Sequence, residues 1–204
     1  MDDVYHTPAT EARYETKVKG SRFIAECRLV SSPEDATTAL ASIRKGEHAA
    51  THHCYAWRVG LFDDMKFKYS DDGEPSGTAG RPIYDAMCGR GLDNVLVVVT
   101  RYYGGTKLGT GGLARAYGEA AAGALDAAGS QKKYLTAKYR VVIDFGLFDQ
   151  LNRMLAKFEA RQVKADYSDR VTLEIEIRLS RSEVLVAEII ELSGGKATVE
   201  QLQA

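Results

Sequence analysis

Five glycines and three cations crowd the run Arg101-Tyr-Tyr-Gly-Gly-Thr-Lys-Leu-Gly-Thr-Gly-Gly-Leu-Ala-Arg115. Glycine lets backbone N–H groups come close to an oxyanion, and a helix start adds unpaired donors with a partial positive charge. The loop follows Val95-Leu-Val-Val-Val99, a continuous apolar run of the kind found in a strand buried on both faces. It precedes Leu113, Ala116, Tyr117, Ala120, Ala121, Ala124 and Leu125, which share one helical face and place the helix start near Leu113. The candidate anion or phosphate site is therefore Arg101, Lys107 and Arg115 with Gly104, Gly105, Gly109, Gly111 and Gly112. Tyr102 and Tyr103 stand ready to stack on a base. A simpler reading stays open: the glycines permit a tight strand-to-helix crossover, and the cations are solvated or paired with acids such as Glu119, one turn beyond Arg115.

Known nucleotide motifs fail in detail. Gly104 and Gly109 have the outer Walker spacing, but Thr110 stands where the lysine belongs. Gly109-Thr-Gly111-Gly-Leu-Ala114 meets the loose dinucleotide fingerprint, yet the strand ends eight residues too early and no acidic ribose partner follows at the expected distance. There is no G-x-S-x-G elbow, no H-E-x-x-H and no kinase-like set, so no catalytic residue and no cofactor are assigned.

Two other clusters carry chemistry-bearing side chains. Asp71, Asp72 and Glu74 could hold a hard cation such as magnesium, but Asp-Gly and Glu-Pro are turn chemistry and no calcium-loop spacing is met, so no metal site is assigned. His52, His53 and Cys54 fall on an expected strand, where successive side chains point to opposite faces and cannot share one site by spacing alone. They read as structural, as do Trp57, Phe67 and Tyr69, taken as core or hairpin residues.

Composition narrows the classes. The 204 residues carry 27 Lys and Arg against 28 Asp and Glu, a formal charge of -1, and neither side of Lys133 has a basic excess. A general nucleic-acid binder usually has a strongly basic field, so an anion site here must be local. Three widely spaced cysteines without C-x-x-C support neither a disulfide framework nor a zinc ribbon. With no apolar run near membrane-spanning length and no leader pattern at the start, a cytoplasmic location and no membrane partner are expected.

The elements that would position these residues form two domains, 1–133 and 134–204. In the first, a strand from about Lys17 to Val30 leads to a helix capped by Ser32-Pro33 and ended by Gly46. Strands at His52–Val59 and Met65–Tyr69 follow, then the polar loop 70–80, a helix around Pro82–Cys88, and a strand at Asn94–Thr100. In the second, Ala137, Tyr139, Val141 and Ile143 alternate with polar residues, and Phe148, Leu151, Met154, Leu155 and Phe158 recur at helical spacing. A strand at Arg161–Tyr167, a turn at Ser168-Asp169, and alternation from Val171 to Leu179 come next. Ser180 with Glu183 forms a capping box for a helix through Leu192, which Gly194-Gly195 stops before a strand at Thr198–Leu202. The order is βαββαβ, a ferredoxin-like unit, and the fold class is α+β.

Ser21-Arg-Phe-Ile-Ala25, His53-Cys-Tyr-Ala56, Asp71-Asp-Gly-Glu-Pro-Ser-Gly-Thr-Ala-Gly80 and Val98-Val-Thr-Arg-Tyr-Tyr-Gly-Gly-Thr-Lys-Leu-Gly109 together resemble bacterial members of the IMPACT family, over nearly the whole chain. Arg101-Tyr-Tyr-Gly-Gly105 stands where the family usually has Arg-Tyr-Phe-Gly-Gly. The resemblance implies an N-terminal domain like the second domain of the fifth small-subunit ribosomal protein and a ferredoxin-like C-terminal domain. It also implies a translation-linked factor associated with RNA or the ribosome. Eukaryotic relatives regulate translation by binding an activator of a stress kinase, largely through an extra domain that this chain lacks, so that partner is not carried over. Two alternatives stand beside it. One is an enzyme or sensor for a phosphorylated small molecule or nucleotide. The other is a protein-interaction module using the polar C-terminal strand face of Thr172, Glu174, Glu176 and Arg178, whose lack of aromatics argues against base stacking there.

Overall fold

The computed structural model describes residues 3–202. The chain runs β1 (Val4–Pro8), β2 (Ala12–Val18), β3 (Ser21–Leu29), α1 (Pro33–Gly46), β4 (His52–Val59), β5 (Lys66–Ser70), α2 (Gly80–Cys88), β6 (Val95–Tyr102), α3 (Gly109–Ala128) and β7 (Ser130–Tyr134). It continues with β8 (Thr136–Ile143), α4 (Phe148–Lys157), β9 (Arg161–Tyr167), β10 (Val171–Arg178), α5 (Leu179–Leu192) and β11 (Thr198–Leu202). Two compact units divide it: Tyr5–Lys133, and a second from Tyr134 onward that also takes in Asp3 and Val4. The protein is a two-domain α+β chain.

In the first unit an antiparallel sheet has the order β2-β3-β6-β4-β5. Its middle strand, β6, explains the apolar run. Val95, Val97 and Val99 join the core beneath α2 and α3, whereas Leu96 and Val98 join the core beneath α1. Burial of each such side chain contributes roughly 1.5–3 kcal/mol. Helix α1 opens as its sequence directs, with Ser32 Oγ accepting from the Asp35 N–H at 3.1 Å and Pro33 in the first turn.

Two local expectations are corrected. The single strand from Lys17 to Val30 is a hairpin, β2 and β3, turned at Lys19-Gly20 with φ of 46° and 83°. Positive φ at both central residues matches the right-handed twist of the flanking strands. Helix α3 opens at Gly109, four residues before Leu113. Glycine disfavours a helix by about 1 kcal/mol per residue, but burial of Leu113, Ala116, Tyr117 and Ala120 just downstream outweighs that. The pairing of β1 with β7 had no counterpart in the sequence pattern.

The second unit has the sheet order β11-β8-β10-β9, all antiparallel, as βαββαβ connectivity requires. Tyr139, Val141, Leu173 and Ile175 cover one sheet face against Leu151, Leu155, Leu185 and Ile189. The opposite face carries ion pairs, Arg140 with Glu174 and Arg161 with Glu176. The capping box at Ser180 and Glu183 is not formed. The Asp3 carboxylate takes its place, accepting from the Ser180 N–H at 3.2 Å and its hydroxyl at 2.6 Å. Helix α5 opens at Leu179, so Ser180 sits inside the first turn and not at the cap position that a capping box needs.

Candidate functional site

Strand β6 delivers Arg101 to the α2/α3 face of the sheet, opposite Phe23 of β3 and His52 of β4. There the loop after β5 meets it with Glu74. Arg101 Nη1 donates to Glu74 Oε1 at 2.5 Å and Nη2 to Ser21 Oγ at 3.2 Å. The Tyr117 hydroxyl of α3 donates to the same Glu74 oxygen at 2.8 Å. The two charged side chains are 6 % and 4 % exposed, so this is a buried ion pair with its remaining lone pairs partly satisfied.

One donor is left over. Arg101 Nε is buried and has no hydrogen-bond partner. Arg101 lines a cleft of about 360 Å³ together with Glu74, Tyr103, Lys107, Gly109 and Thr110, and Pro75, Leu108 and Leu113 supply apolar walls. Helix α3 begins in this cleft with no side-chain cap and no acid in its first turn. Its first backbone N–H groups thus lack the usual side-chain acceptor. An anion entering here meets those donors and the exposed Lys107 ammonium. Glu74 balances the Arg101 charge, so the attraction rests on Lys107 and the helix end.

The sequence-derived site residues separate into three groups. Arg101, Tyr103, Lys107 and Gly109 line the cleft. Tyr103 is 48 % exposed, with the Arg101 guanidinium 5.4 Å from its ring centroid. Gly111 and Gly112 lie in the first turn of α3, and Gly105 precedes it at φ 84° in open space. The rest do other work. Tyr102 points to the opposite sheet face, where its hydroxyl donates to Glu47 at 2.6 Å and Arg22 lies 4.5 Å from its ring. Gly104 packs on the β2–β3 turn: a Cβ there would sit 1.9 Å from the Gly20 carbonyl carbon. Arg115 is exposed on α3 and does not line the cleft. It forms no ion pair with Glu119 among the described residues.

Sequence reasoning missed Glu74, read as part of a turn, and the contributions of Thr110 and Leu113. The three carboxylates near Glu74 face separate partners rather than one point. Asp71 accepts from the N–H groups of Gly77, Ala79 and Gly80 at 2.8, 2.9 and 2.8 Å. Burial pushes its carboxyl up, but those three donors outweigh it and hold it below the usual aspartate range. Asp72 accepts from the His53 N–H at 2.7 Å and from Arg44 at 2.6 Å. His52 and His53 diverge as strand alternation requires, to the Asp72 carbonyl at 2.8 Å and the Glu47 carbonyl at 3.1 Å. The Cys54 thiol donates to the Asp71 carbonyl at 2.9 Å, and burial pushes its pKa up to about 12. A thiol held protonated is a poor nucleophile, which fits a structural part.

Comparison with known proteins adds the lineage. The Impact N-terminal domain family matches residues 19–125, and a domain of unknown function, DUF1949, matches residues 141–196. An IMPACT family member of Haemophilus influenzae is 33% identical over 200 residues, covering 98% of this chain and 97% of that one. The Escherichia coli member YigZ is 33% identical over 189 residues, 92% of this chain and 93% of its own. The Bacillus subtilis member YvyE is 32% identical, covering 97% and 90%. A solved structure of a hypothetical protein superposes with a TM-score of 0.71 at 30% identity, over 100% of this chain and 99% of that chain. On this evidence of sequence and fold, the chain belongs to the IMPACT family.

Proposed function

We propose that this protein is a non-catalytic RNA- or ribosome-associated factor linked to translation, which contacts phosphate in the cleft at the start of α3. One observation carries the reading: an uncapped helix start and the exposed Lys107 converge on one cleft, which Arg101 also lines. Phosphate contacts of this kind position a protein on a nucleic acid without reading its sequence. Tyr103 at the cleft wall offers a ring face to a neighbouring base. The near-neutral chain limits affinity to a local contact, and eukaryotic members of the family regulate translation. Co-sedimentation with ribosomes across a salt series tests this. The wild type should co-migrate at low salt and dissociate as salt rises, with Lys107→Ala releasing earlier. A wild type that never co-migrates at low salt contradicts the proposal.

A second reading is favoured by the apolar walls and by a volume at the small end of the range for ligand pockets. In it the cleft takes a free phosphorylated small molecule or nucleotide. A panel of nucleotides and sugar phosphates then raises the melting temperature at high ligand concentration, and no shift across the panel removes this reading.

A further inference from the structure

Outside the cleft, the largest unexplained feature is a set of aromatic rings on the outer edge of the first unit. Phe67 and Tyr69 of the edge strand β5 are 51 % and 39 % exposed. Both rings contact Tyr84 of α2, with centroids 4.9 and 5.8 Å away and interplanar angles of 31° and 38°. The three rings form a tilted cluster in which Phe67 and Tyr69 are exposed. On the same strand Lys66 and Lys68 are exposed and have no ion-pair partner among the described residues. The sequence Lys66-Phe67-Lys68-Tyr69 thus places the exposed rings on the α2/α3 face and the unpaired cations on the opposite face, both bordering one free sheet edge.

The patch shares an orientation with the cleft. Tyr69 pairs in register with Ala56, Ala56 with Val97, and Val97 lies four residues before Arg101 on the same α2/α3 face. Strands β5 and β6 are each antiparallel to β4, so they run the same way and present their C-terminal ends at one end of the sheet. Two strand spacings across and four residues along put Tyr69 and Arg101 roughly 16 Å apart. A few nucleotides of an extended single strand cover that span, whereas the stacked bases of a duplex cannot reach the rings.

Resting on the nucleic-acid reading above, we infer that the partner is single-stranded RNA and that Phe67, Tyr69 and Tyr84 form a stacking platform for unpaired bases, with Lys66 and Lys68 reaching the phosphates where the strand passes around the sheet edge. Such an arrangement of a basic track with aromatic faces tolerates any base sequence. The same lysines argue against the other use of a free edge, addition of a peptide strand, because charged edge residues are the common device against strand pairing.

The test is fluorescence anisotropy of the full chain with a labelled RNA of about 12 unpaired nucleotides, alongside a hairpin duplex of equal charge. The wild type should prefer the single strand. Phe67→Ala with Tyr69→Ala should weaken that binding about tenfold or more, and Tyr69→Phe, which keeps a ring, should leave it unchanged. Lys66→Ala with Lys68→Ala should lower the salt slope by about 1.4. The mutated side chains are exposed, and an unchanged melting temperature confirms folding. If Lys107→Ala weakens binding while the Phe67 and Tyr69 variant matches wild type, the platform is refuted and the cleft reading stands. If only the aromatic variant weakens binding, the platform stands and the cleft reading falls. Equal affinity for strand and duplex, or no binding of either at low salt, overturns the inference.

Discussion

Removing the Glu74 carboxylate should unfold the first unit far more easily, although Glu74 lies in a glycine-rich loop. In Glu74→Leu the Arg101 guanidinium, 6 % exposed, loses its counter-charge at 2.5 Å and keeps, besides the faces of Phe23 and Tyr103, the hydrogen bond to Ser21. Tyr117 loses the acceptor of its 2.8 Å bond in the same substitution. Breaking a buried ion pair on one side costs about 3–5 kcal/mol, because a charge is left desolvated. Replacing both partners removes that penalty, so Glu74→Leu with Arg101→Met should cost less than Glu74→Leu alone, by about 2 kcal/mol. Urea unfolding followed by tryptophan fluorescence reads this unit specifically, since Trp57 of β4 is the single tryptophan. A cost under about 1 kcal/mol for Glu74→Leu, or a double variant as unstable as the two single losses summed, would refute the reasoning. The same numbers explain why Arg101→Ala is a poor probe of RNA contact: it lowers stability first.

Asp71 ties the loop 71–80 together only while ionised. Its carboxyl is held below the ordinary value of 3.8, so its stabilisation is present above that pH and lost as pH falls through the lower folded value. Asp71→Asn should therefore cost about 1–3 kcal/mol at pH 7, with the gap to wild type closing below about pH 4 in acid-unfolding curves. A constant gap across that range would contradict the assignment. Two glycines of the run 101–115 should differ in sign when changed to alanine. Gly104→Ala forces its Cβ against the Gly20 backbone and should cost about 1–3 kcal/mol, whereas Gly111→Ala, with open space around its Cβ, should stabilise the first turn of α3 by up to about 1 kcal/mol in thermal melts.

What the sequence revealed follows from the range of each interaction. Alternation at Val171–Ile177 and the apolar run Val95–Val99 reflect burial by neighbouring elements, which leaves a periodic trace, and both strands lie where that trace places them. The same alternation could have separated Tyr102 from Arg101, because adjacent strand residues face opposite ways. Glu74 left no such trace. Its partners Arg101 and Tyr117 are distant in sequence and meet it only through the sheet register and the packing of α3. Asp3 displaced the expected cap at Ser180 for the same reason. Phe67 and Tyr69 read as core or hairpin residues by sequence, yet both are exposed. Their exposure comes from β5 being the sheet edge, which pairing order decides and local sequence does not.

Backbone amide chemical shifts during titration with inorganic phosphate, then with a short single-stranded RNA, test the phosphate-contact reading most directly. The largest shifts should fall on Gly109, Thr110, Gly111 and Gly112, and they should fade as salt is raised. Shifts confined to other parts of the chain, or none at high ligand concentration, would contradict it.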